Sequence, residues 1–160
     1  MKRKLTLMLL GLVMTVSANA QFENGKKYIG SSISGLNMSY NGSEKSHFGL
    51  QAKGGYLFMD DWMVTAQMAY DKKKDVSAEL SLGVGARYYI VQNGLFLGAS
   101  ADYVHRGSDY DDFMPSVQIG YAFFISHTVT IEPEIYYNHS FKSHSDYSSV
   151  GFRLGFGVYL

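Results

Sequence analysis

From residue 21 onward the sequence is dominated by apolar side chains at every second position. The pattern is clearest at the end of the chain. There Val150, Phe152, Leu154, Phe156, Val158 and Leu160 alternate with Ser149, Gly151, Arg153, Gly155, Gly157 and Tyr159. A period of two places these sets on opposite faces of an extended strand, whereas a helix needs a period near 3.6. A chain written in this way folds as a sheet whose two faces meet different surroundings.

The same alternation recurs upstream. Phe48 to Phe58, Trp62 to Tyr70, Val76 to Ile90, Leu95 to Tyr103, Pro115 to Phe123 and Val129 to Tyr137 each place their apolar residues at alternate positions. The first segment, near Lys27 to Tyr40, is less regular. Its apolar face shifts from Ile29 and Ile33 to Leu36, Met38 and Tyr40, which predicts a bulge near Ser34-Gly35. Eight strands result, an even number.

The connections alternate in length. Short ones lie at Met59-Asp60-Asp61, Val91-Gln92-Asn93-Gly94 and Ile125-Ser126-His127-Thr128. Longer polar ones lie at Asn41–His47, Asp71–Asp75, Arg106–Asp112 and His139–Ser148. Short turns on one side and long loops on the other characterise outer-membrane barrels. Aromatic residues collect near the strand ends at Tyr40, Tyr56, Phe58, Trp62, Tyr70, Tyr88, Tyr103, Tyr121, Phe123 and Tyr137, as an interfacial girdle requires. Thirteen Tyr and 10 Phe against 2 Pro also suit strands better than helices.

A soluble sandwich or lipocalin-like barrel would turn its apolar face inward and a charged face outward. Here the other face is built mainly of Gly, Ser and Ala, which fits a narrow lumen. Closure would leave no unpaired strand edge in lipid. The expected fold is therefore all-β, an eight-stranded antiparallel up-and-down transmembrane barrel.

The first 20 residues read as an export signal. Met1-Lys2-Arg3-Lys4 is basic, Leu5 to Val16 is mostly apolar, and Ser17-Ala18-Asn19-Ala20 ends in a small-residue cleavage motif. The apolar stretch is shorter than the roughly 20 residues that span a bilayer. Cleavage is expected to make Gln21 the first mature residue, so residues 1–20 are a signal peptide and 21–160 the barrel domain. No Cys follows, so lipoprotein processing is not expected. The signal holds three of the 14 Lys and Arg and none of the 14 Asp and Glu, leaving 11 against 14. That balance gives no basic excess to attract nucleic acid.

With these features the mature chain resembles the small eight-stranded outer-membrane barrels, the kind seen in the OmpA transmembrane domain and OmpX. It is most similar to the single-domain barrels common in Bacteroidetes. The resemblance covers Gln21 to Leu160 and rests on the signal, the strand number and the closing segment from Gly151 to Leu160. It implies a Gram-negative outer-membrane location, contact with lipid and lipopolysaccharide, and recognition of the last strand by the outer-membrane assembly machinery. The terminal Leu160 stands where this family usually has Phe, and a peptidoglycan-binding domain, with its wall-anchoring role, is not expected.

On the strand pattern Lys53, Glu79, Arg87, Asp102, Glu132, Glu134 and Arg153 face inward. An eight-stranded barrel has room for little beyond side chains, and buried charges must be paired. The favoured reading is an internal salt-bridge plug, with Arg153 bridging Glu132 or Glu134. The alternative is a narrow ion path gated by the same network.

Four histidines (His47, His105, His139, His144) and four aspartates (Asp109, Asp111, Asp112, Asp146) fall at the long-loop end. They follow no ligand spacing, so neither a metal site nor a cofactor is expected. His139-Ser140 with Asp146 or Glu134 is similar to outer-membrane lipid-A acyl hydrolases in residue type alone. Successive strand residues point to opposite faces, which argues against a catalytic pair. Lys72-Lys73-Lys74 suits lipopolysaccharide phosphates or is a solvated loop tip. The remaining loops are candidate contacts for a surface ligand.

Overall fold

The computed structural model describes residues 22–39, 44–73, 79–90, 94–107, 110–142 and 148–160. The expected signal peptide lies outside these residues, as do Gln21, Tyr40, Lys74, Asp75, the strand start at 76–78 and the turn residues Val91–Asn93. Asp109, His144 and Asp146 of the expected rim are also outside them.

Among the described residues nine strands run β1 (Lys27–Ser39), β2 (Glu44–Met59), β3 (Trp62–Lys73), β4 (Glu79–Tyr89), β5 (Leu95–Arg106), β6 (Tyr110–Tyr121), β7 (Phe123–Phe124), β8 (Val129–Asn138) and β9 (Ser149–Tyr159). Consecutive strands from β1 to β6 pair antiparallel, and β8 pairs with β9. The ends of the sheet meet twice. β1 pairs with β9 from Tyr28↔Tyr159 to Ser39↔Ser149, and β6 pairs with β8 from Ser116↔Asn138 to Gly120↔Glu134. β7 continues β6 along the same neighbour, with Phe123 opposite Ile131. At the break between them the Ala122 amide donates to the Gly94 carbonyl (2.8 Å). β6 and β7 therefore form one stave, and the chain closes as an eight-stranded barrel.

Closure satisfies the backbone along both edges that an open sheet would leave unpaired. The registers of β1 with β2 and with β9 both shift between Ser34 and Leu36, so the bulge lies where the apolar face changes parity. The tight β2–β3 turn is made at Asp60-Asp61, with Asp61 in the left-handed region at φ 64°, a conformation that Asp tolerates better than most residues.

Burial runs opposite to that of a soluble protein. Val84 is 66% exposed and Val117 57%, while Arg87 is 1% and Glu132 2% exposed. Ile33, Leu50, Met68, Leu82, Ile119 and Phe152 also lie outside. The period-two pattern causes this, because each apolar residue alternates with a small or polar one that must face the lumen. Glycines on the inner face leave room for the large side chains. At Gly120, on the β6–β8 seam, a Cβ would overlap the Phe96 ring and lie 2.8 Å from both Glu134 Cβ and the Pro133 carbonyl.

The strands extend further at the long-loop end than the alternation implies. Glu44–His47, Asp71–Lys73, Arg106 and Tyr110–Asp112 are strand, where loop was expected. Their side chains are mostly polar, so no hydrophobic alternation marks them. Backbone pairing continues regardless, because each added pair satisfies its own N–H and C=O groups. Gly120→Val should destabilise the folded barrel by about 1–3 kcal/mol through overpacking. The test is the urea midpoint of the compact gel form, and an unchanged midpoint would mean that the seam can yield.

Candidate functional site in the barrel lumen

The lumen is stratified. At the short-turn end Phe22, Tyr28, Leu57, Met63, Tyr89, Phe96, Ala122 and Tyr159 form one buried cluster. Phe22 precedes the first strand and closes this floor like a cork, its ring stacked 3.7 Å from that of Tyr89. The segment that carries it is tied across the mouth. The Asp61 amide donates to the Phe22 carbonyl (2.9 Å), the Gly25 amide to the Leu57 carbonyl (2.8 Å) and the Asn24 amide to Asp60 Oδ1 (2.9 Å). Burying one Phe side chain contributes about 1.5–3 kcal/mol toward holding this segment, alongside those three ties.

Above this floor the Arg87 guanidinium is wholly enclosed. Its Nη1 donates to Glu132 Oε2 at 2.7 Å and its Nη2 to Glu134 Oε2 at 3.4 Å. Its flat face lies 3.8 Å from the Phe96 ring centre, a favourable stack for a desolvated cation. Glu132 is saturated, since it also accepts from the hydroxyls of Tyr28 (2.9 Å), Thr130 (2.8 Å) and Tyr159 (3.0 Å). One step higher Arg153 Nη1 donates to Glu134 Oε1 (2.7 Å) and Gln51 Oε1 (2.9 Å) and its guanidinium lies over Tyr136. Lys53 lines the same level and is 6% exposed.

Toward the long-loop end the lumen is lined mainly by neutral polar groups, with Asp102 among them. Gln67 Nε2 donates to Asp102 Oδ1 (2.7 Å), and Ser100 Oγ to Asp102 Oδ2 (3.0 Å). Ser100 also meets Ser116 at 2.7 Å. At the top Ser140 Oγ donates to Asp112, and the Ser140 amide donates to Ser148 Oγ (3.1 Å).

Of the seven residues expected to face inward, Arg87, Glu132, Glu134 and Arg153 form one connected set. The structure divides their bonding in a specific way, with Arg153 on Glu134 and Arg87 bridging both carboxylates. Asp102 belongs to the separate Gln67–Ser100 group. Glu79 stands at the outer end of β4, opposite Asp71 and Arg106 in register. Alternation alone did not single out the hydroxyls of Tyr28, Tyr89 and Tyr159 or the cork Phe22. The three tyrosines were discoverable by parity, because each shares a face with Gly30, Arg87 or Arg153. Phe22 lies before the first alternating segment and left no such signal.

The remaining candidates are scattered. His105 Nδ1 meets Asp111 Oδ1 at 2.7 Å on the exposed rim. His139 Nδ1 faces the Tyr137 hydroxyl at 3.3 Å, and buried Ser140 binds Asp112. Among the described residues no three His, Asp or Glu side chains are grouped to hold a metal ion. Of the girdle aromatics, Trp62 packs on Tyr88 and Tyr121 on Phe123 at the short-turn end.

No protein-family model matches the sequence, and no curated protein matches it. Solved structures do match the fold. Neisserial surface protein A (NspA) is 19% identical with a TM-score of 0.64 over 84% of this chain and 97% of its own. The N-terminal β-barrel domain of Pseudomonas aeruginosa OprF is 15% identical with a TM-score of 0.58 over 86% and 98%. Ail, the attachment invasion locus protein of Yersinia pestis, is 16% identical with a TM-score of 0.54 over 86% and 99%, and has also been solved with the heparin analogue sucrose octasulfate. The chain thus has the fold of the small eight-stranded outer-membrane barrels.

Removing one member of a buried ion pair strands its partner and costs about 3–5 kcal/mol. Arg87→Ala should therefore destabilise the barrel by that amount. Arg153→Ala should cost less, because the Arg153 side chain is 13% exposed against 1% for Arg87. Urea titration of both variants gives the ranking, and equal or reversed losses would place the weight of the network on Arg153.

Proposed function

We propose that this chain is an integral outer-membrane protein of a Gram-negative bacterium. On this reading residues 1–20 are a cleaved export signal, and residues 21–160 form a barrel whose lumen is closed by its own side chains. The observation that carries the reading is the inverted burial. Aliphatic residues such as Val84 and Val117 face outward, while Arg87, Glu132 and Glu134 are enclosed. That arrangement suits hydrocarbon outside and a bonded polar core inside. The aromatic floor and the ion pairs above it support a rigid platform more than a conduit.

The working surface is then the long-loop end. Polar strand ends and loops there serve membrane integrity or contact with a surface ligand. The Lys72-Lys73-Lys74 run begins at the end of β3 and suits polyanions such as lipopolysaccharide phosphates. Ail, a barrel of the same fold, has been solved with a sulfated heparin analogue, which makes a polyanion a sensible first ligand to try. Insertion would use the assembly machinery that reads a final strand such as β9.

In planar bilayers the mature protein should show no stable openings across voltage. Phe22→Ala combined with Arg87→Ala should admit measurable current if the variant remains compact on unboiled gels. Stable openings of the unaltered protein, changed by replacing Arg153 or Glu134, would make the lumen a gated channel instead. Replacing Lys72, Lys73 and Lys74 together with Gln should weaken retention on lipopolysaccharide-containing vesicles several-fold at low salt and spare the gel shift. Unchanged retention would leave the run as a solvated segment.

A further inference from the structure

The centre of the lumen holds more cation than carboxylate. Lys53 on β2, Arg87 on β4 and Arg153 on β9 face only Glu132 and Glu134 at this level, one positive charge in excess. Asp102, a further carboxylate on the inner wall, is engaged by Gln67 and Ser100. Both central carboxylates are already bonded, Glu132 by Arg87, Thr130 and two tyrosines, Glu134 by Arg153 and Arg87.

Two donors remain. Lys53 is 6% exposed and makes no hydrogen bond or ion pair among the described residues. Arg87 Nε is buried without an acceptor. Both residues line one small cavity of about 10 Å³, bounded also by Ser32, Gln51 and the two carboxylates. That is the space of one water-sized occupant. An uncompensated charge in such surroundings is strongly unfavourable, so Lys53, when protonated beside two guanidinium groups, calls for a counter-charge.

We propose that Lys53 and Arg87 Nε bind a single small monovalent anion of the halide class at the centre of the barrel. The ion supplies the missing negative charge and an acceptor for Arg87 Nε, which has none of its own. Its position between the aromatic floor and the Asp102 layer makes it internal to the barrel, separate from any ligand of the rim.

The test uses the refolded mature barrel in detergent, with the gel shift confirming closure of every sample. Chloride-35 linewidth should rise several-fold above the protein-free value and fall again as bromide displaces chloride. The unfolding midpoint should be higher in sodium chloride than in sodium gluconate at equal ionic strength. Lys53→Met should abolish both effects. Lys53→Arg, which keeps the charge, should retain them, and it serves as the reference if the Met variant does not fold. A linewidth equal to that of the detergent blank would overturn the site and leave Lys53 neutralised by loss of its proton. Broadening that persists in a folded Lys53→Met barrel would also overturn it, by locating the ion elsewhere. Neither result depends on conductance or vesicle binding, so this site can fail without the outer-membrane reading failing.

Discussion

Arg87 is enclosed on every side by the barrel wall, and a guanidinium in that position needs carboxylates within bonding distance. Glu132 and Glu134 reach it from β8, on another part of the circumference, at 2.7 and 3.4 Å. Breaking either contact would strand a charge in a region from which it cannot retreat to water. The neighbouring choices follow from this. Tyr28, Thr130 and Tyr159 fill the remaining acceptor sites of Glu132, Phe96 offers its face to the cation, and inner-wall glycines such as Gly120 and Gly157 leave room for the large groups. The network also spans the lumen, so it holds β4 to β8 and β9 without relying on the backbone ladder between them.

Floor and network act together. Phe22 seals the short-turn mouth by stacking on Tyr89, and the Tyr89 hydroxyl in turn meets Arg87 and Tyr159. Aromatic packing thus shields the ion pairs from the short-turn side. Shielding lowers the local dielectric and strengthens each pair. The same low dielectric makes a protonated Lys53 costly, and the proposed anion at the centre of the lumen would offset that cost.

How much of this was legible in the sequence depends on the range of each interaction. The two faces of each strand were legible, because parity is a local property and Val150, Phe152 and Leu154 declare it within five residues. The bulge at Ser34-Gly35 was legible for the same reason. A pairing of Arg153 with Glu132 or Glu134 could be anticipated, since β8 and β9 are consecutive. The Arg87 bridge could not, because β4 and β8 come within reach only across the lumen once the barrel has closed with a particular stagger. Phe22 lay outside any repeating pattern. The polar strand extensions at Glu44–His47 and Tyr110–Asp112 were hidden because alternation reports hydrophobic surroundings and not hydrogen bonding.

The central claim is that Arg87 and Glu132 act as a coupled pair that holds the lumen together. A double-mutant cycle with Arg87→Met, Glu132→Gln and both changes together, followed by urea unfolding of the refolded barrel, measures it most directly. The account expects a coupling of about 2–3 kcal/mol, in the upper part of the range for residues in one ion-pair network. The double variant should then be more stable than the sum of the single losses. Strictly additive losses would contradict it and mean that the two side chains are buried together without depending on one another.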